Sequence, residues 1–139
     1  MANNIYKYEV LSHTADLKIR VFGSNKEELF SNAVLAMQDC LKSKSKNQSS
    51  EIRDVEIKSS SLETLLVDFL SEVLYLTQVN KEVYNKIKFE EFSDIKIKAK
   101  LYGKKAESFG EDIKGITYHD LTIAQQSNGT WEAVILFDI

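Results

Sequence analysis

Proline is absent from all 139 residues, so every loop lacks the stiffest backbone residue. That absence carries no functional meaning of its own. The single cysteine, Cys40, excludes an internal disulfide. Its place on an apolar helical stripe makes it a packed thiol, which suits a reducing compartment. No apolar run is long enough to span a membrane, and Met1-Ala2-Asn3-Asn4 lacks the charged and hydrophobic parts of a signal peptide. The expected location is cytoplasmic, with no membrane partner. The chain also lacks a glycine-rich phosphate loop, a nucleophile elbow, paired cysteines at zinc spacing and a His-Glu-x-x-His helix. Those absences lower the prior for an autonomous enzyme. A net charge of -3 gives no global field for gripping nucleic acid.

What is there is ordinary globular material, with 43% hydrophobic and 28% charged residues. The length suits one domain spanning residues 1–139. Alternation predicts strands over 5–11 and 16–22, the second with Leu17, Ile19 and Val21 against Lys18 and Arg20. Ser24 with Glu27 reads as a capping box opening a helix to about Leu41, and Ser60 with Glu63 opens a second through about Val79. The second carries the wider apolar face, including Leu65, Leu66, Phe69, Leu70, Val73 and Leu74, and is expected at the centre of the core. Residues 42–50 read as a mobile polar loop, and 52–58, 87–92 and 95–102 as strands. In the last of these Lys96, Lys98 and Lys100 form an outward stripe. Residues 103–112 read as a second loop. Strands outnumber helices and short turns join them, which predicts an α+β fold. Two long helices should pack on a largely antiparallel or mixed sheet that ends in a C-terminal β-hairpin.

The chain end concentrates polar chemistry. Trp131 to Phe137 alternates as a strand, and Asp138-Ile139 follows directly, setting a side-chain carboxylate beside the main-chain carboxylate. Hard cations favour such oxygens. Asn128-Gly129 between two β-patterned runs predicts a two-residue hairpin turn with Ser127 opposite Thr130. Carried along an unbroken ladder, that register sets Leu121 opposite Leu136, Ile123 opposite Val134 and His119 opposite Asp138. The alternative is a plain surface His-Asp pair at a frayed hairpin end.

Three stretches taken together resemble the archease family: His13-Thr14-Ala15-Asp16, Gly115-Ile116-Thr117-Tyr118-His119-Asp120-Leu121, and Trp131-Glu132-Ala133 to Asp138-Ile139. The likeness extends through Glu28-Leu29-Phe30 in the first helix and residues 65–76 in the second, and so covers the chain. It implies an accessory protein that activates an RtcB-type RNA ligase in tRNA splicing and RNA repair, promoting guanylylation of the ligase and multiple turnover. RNA would be met only through the ligase. It also implies a divalent cation held by Asp16, Asp138 and the main-chain oxygens of Ile139. Calcium is the first choice, with Mn²⁺, Mg²⁺ or Zn²⁺ as alternatives. His13, Lys114 and His119 are candidates for supporting that site or touching the partner. Two other readings stay open: a stand-alone metal-dependent phosphoester hydrolase, and a structural interaction module.

Overall fold

A computed structural model describes residues 7–13, 16–45 and 50–139, the side chains of Ser12 and His13 excepted. The first sheet contains β1 (Tyr8–His13), β2 (Asp16–Gly23), β7 (Gly115–Gln125) and β8 (Trp131–Asp138), in the order β1-β2-β8-β7. The second is built around β6 (Lys96–Phe109), which pairs with β3 (Ser43–Ser45), β4 (Glu51–Lys58) and β5 (Glu82–Phe92). All ladders are antiparallel. Helix α1 (Lys26–Cys40) packs on β2 and β5, while α2 (Leu62–Asn80) touches β7 and the second sheet. This is the expected α+β class, ending in a strand hairpin.

The helices follow from apolar spacing. In α1, Leu29, Phe30, Ala33, Val34 and Met37 are fully buried, and in α2 so are Leu65, Leu66, Phe69, Leu70 and Val73. Each such side chain contributes about 1.5 to 3 kcal/mol on burial. Phe30 and Phe69 meet with ring centroids 6.2 Å apart, and Phe92 packs edge-on against Phe30 at 5.1 Å. The caps lie one residue later than the sequence predicts. Asn25 Oδ1 accepts from the Glu28 amide at 2.8 Å, and the Ser61 hydroxyl accepts from the Thr64 amide at 3.2 Å. Neighbouring Ser and Asn residues are interchangeable as caps, and the first turn to bury its apolar face decides among them.

Both expected loops are partly strand. Residues 43–45 pair with β6, while 46–49 lie outside the described residues. β6 runs straight through Gly103 to Phe109. Gly103 makes no turn. A Cβ there would stand 1.9 Å from the Val83 carbonyl oxygen, so the glycine admits a close backbone crossing beside the bulge in β5 between Tyr84 and Lys86. The lysine stripe on β6 is answered by acids on its neighbours: Lys100 meets Asp54 at 2.6 Å and Lys96 meets Glu91 at 3.2 Å. That pattern is a solvated sheet face.

The sequence reading missed Glu82. It opens β5 with no exposure at all, and Arg53 donates to both its oxygens at 2.9 and 2.7 Å. Tyr84 Oη donates at 2.6 Å and Lys105 Nζ stands 3.2 Å away. The Arg53 fork first, then the Tyr84 and Lys105 bonds, hold the Glu82 carboxyl down at about 2 against the opposing pull of burial. This knot ties β4, β5 and β6 together.

Candidate metal centre

Asp16 opens β2 and Asp138 closes β8, and the two face one another as direct partners in the β2–β8 ladder. The ladder is continuous from Asp16↔Asp138 to Gly23↔Trp131. Its register is set by Leu17, Ile19 and Val21 on one strand and Ala133, Ile135 and Phe137 on the other, all buried in the core. A slip of one residue would turn the three core side chains of the slipping strand to the wrong face. The core therefore fixes the acidic pair. Directly opposed residues have Cβ atoms about 5 Å apart, and like charges at that spacing destabilise a sheet. Both aspartates are exposed, and among the described residues neither has an ion-pair partner.

Lys114 meets Asp138 through its main chain. Its backbone amide donates to the Asp138 carbonyl at 2.7 Å, while its ammonium makes no ion pair with Asp138. That bond engages the Asp138 main-chain oxygen, while the Asp138 side chain is exposed. Among the described residues no three His, Cys, Asp or Glu side chains converge. The oxygens that a cation could meet there are therefore two carboxylates and main-chain oxygen. Such all-oxygen donors fit calcium or magnesium, with water completing the shell, better than zinc, which prefers nitrogen and sulfur.

His119 is not opposite Asp138; Gly115 is. Two shifts displace it. The hairpin loop has three residues instead of two: Gln126 pairs with Thr130, the Gly129 amide returns to the Gln126 carbonyl at 2.9 Å, and only Gly129 takes positive φ, at 91°. That is a turn closed by a glycine bulge. Ile123 therefore meets Ala133, not Val134. Further along, residues 118–121 swell out between Thr117↔Leu136 and Thr122↔Val134, with Asp120 at φ 57°, so Leu121 does not meet Leu136. His119 sits on this bulge, its side chain 79% exposed and 3.4 Å from Asp120. Tyr118 Oη reaches Asp68 on α2 at 2.7 Å and tethers the bulge to the helix. His13 pairs through its backbone with Leu17, and its side chain lies outside the described residues.

The model of the Archease protein family (MTH1598/TM1083) matches residues 8–139. The chain belongs to the archease family. It is 37% identical to the archease of Methanosarcina barkeri, with the whole of both chains covered. To that of Pyrococcus abyssi it is 35% identical over 96% of this chain and 99% of the other. The solution structure of protein 1598 from Methanobacterium thermoautotrophicum superposes with a TM-score of 0.72 at 27% identity, covering 96% of this chain and 99% of that one. The crystal structure of a Thermotoga maritima archease, described as a possible chaperone, gives 0.70 at 19% identity over 99% and 100% of the two chains, a likeness of fold alone. No helix among the described residues of this archease is long and apolar enough to cross a membrane.

Proposed function

We propose that this archease activates an RtcB-type RNA ligase, assisting its guanylylation and turnover, and that it does so through a divalent cation held at the end of the β2–β8 ladder. One observation carries the reading. Two aspartates are locked face to face by the core register, in an arrangement that costs stability unless a cation joins them. Asp16 and Asp138 would hold the ion through their side chains and Ile139 through main-chain oxygen, with calcium the best match to the donors. A cation bound there supplies positive charge close to a partner's nucleotide centre, where phosphoryl transfer depends mainly on positioning and charge neutralisation. The protein itself supplies no nucleophile in this reading and meets RNA only within the ligase complex. His119 and Tyr118 on the exposed bulge are the side chains offered to that partner.

The test is guanylylation and multiple-turnover joining by a cognate ligase, with and without this protein, repeated with Asp16→Ala and Asp138→Ala. Stimulation by the wild type and its loss in both variants is the expected outcome. No stimulation by the wild type ends the activator reading. Normal stimulation by both variants ends the metal reading. Phosphoester cleavage by the protein alone would favour a hydrolase instead.

A further inference from the structure

The residues that follow Asp16 and Asp138, Leu17 and Ile139, both line a half-open cavity of about 210 Å³. Its apolar wall is formed by Val10, Leu17, Cys40, Ile113 and Ile139, with Asp112 and the Lys42–Glu111 pair, 3.6 Å apart, on its polar side. Successive residues of a strand point to opposite faces. Leu17 follows Asp16 and is buried, and Ile139 follows Asp138 and packs against the core. Each proposed carboxylate ligand is therefore followed by an apolar side chain that lines the same cavity.

We infer that the Ile139 side chain is a positioning residue, an apolar plug in the wall of this cavity whose packing against the core holds the main chain at Asp138–Ile139 in place for cation binding. The inference rests on the metal reading above, but concerns a different part of the residue: the side chain, which no cation touches. A cavity of this size leaves the plug incompletely packed, so its hold depends on the shape of the side chain as well as its greasiness. Cys40 stands in the same wall and is half-buried. Burial first, and Asp39 second, push its thiol up to about 11, so it is protonated and slow to react near neutral pH. It is a built-in reporter of whether the plug is seated.

The experiment compares wild type, Ile139→Ala and Ile139→Val by calcium titration calorimetry and by the rate of Cys40 alkylation with iodoacetamide at pH 8. Ile139→Ala keeps every main-chain oxygen and loses the plug. Loss of a supporting group around a metal site weakens affinity by about 10- to 100-fold, and a tenfold loss is expected here, together with faster alkylation. Ile139→Val should regain most of both. Ile123→Ala is the control for general destabilisation, because Ile123 also packs against the core from the same sheet but does not line the cavity. It should lower the unfolding temperature and leave calcium affinity unchanged. If Ile139→Ala binds calcium like wild type, the positioning role is overturned while the metal reading survives. If Ile123→Ala loses as much affinity as Ile139→Ala, the effect is mere loosening and the inference is again overturned. A wild type that binds no calcium overturns the metal reading itself, and with it this role.

Discussion

Glu82 and the Asp16–Asp138 pair are carboxylates treated in opposite ways. Glu82 is wholly buried and met by a guanidinium fork, a phenol and an ammonium. Asp16 and Asp138 are exposed, face each other directly, and have no ion-pair partner among the described residues. A buried acid without partners would be very costly, so its partners are part of the fold. An exposed acidic pair costs little enough to keep. The contrast separates a carboxylate that holds the molecule together from two that the fold leaves exposed and that we propose bind a cation.

That contrast is open to direct attack. The largest effect is expected from Glu82→Gln, which leaves the Arg53 fork and Lys105 without their anion. Stability measured by urea unfolding should fall by about 2 to 3 kcal/mol, less than for a fully desolvated pair because Arg53 and Lys105 remain partly hydrated. Calcium affinity should not change. Acid should produce the same loss gradually in the wild type. The Glu82 carboxyl is held below its unfolded value of 4.5, at about 2, so its contribution is complete above pH 4.5 and disappears as pH falls toward 2. Glu82→Gln should lack that part of the acid transition. Next in size, Gly129→Ala places a side chain at φ 91°. It should cost about 1 kcal/mol by thermal unfolding and leave calcium binding unchanged, since the proposed metal site lies at the far end of the hairpin. The smallest change in stability, within about 0.5 kcal/mol or slightly favourable, is expected for Asp138→Asn, which relieves the repulsion with Asp16. Its calcium binding should nonetheless fall by at least an order of magnitude. A destabilisation of Asp138→Asn comparable to that of Glu82→Gln would erase the distinction.

Local pattern carried much of the fold. Both helices are legible because buried residues recur at helical spacing over more than three turns. The second half of β6 is not, because Gly103 and the polar run Lys104-Lys105 look like punctuation, whereas the glycine serves a backbone crossing visible only once β5 lies beside it. The hairpin failed in the same manner. Asn128-Gly129 announces a turn, but one residue of loop length and the swelling at 118–121 shift everything beyond. Nothing in Tyr118-His119-Asp120 distinguishes a bulge from a continuing strand. The opposition of Asp16 and Asp138 depends on the β2–β8 ladder, which joins distant parts of the chain. It was reachable through family resemblance and not through local spacing. Glu82 could have been suspected from its place two residues before Tyr84, on the inward face of a strand, had its partner Arg53 been known to lie across β6.

The β2–β8 ladder also orders events in time. Asp16 is made about 120 residues before Asp138, on the order of 10 s earlier at the usual pace of synthesis. Throughout that interval β2 has β1 beside it but not its other neighbour, and one flank waits unpaired. Pairings this remote in sequence are slow to form in any chain. The acidic pair cannot form before β8 has docked on β2, so in the reading proposed above cation binding would report that this ladder is closed.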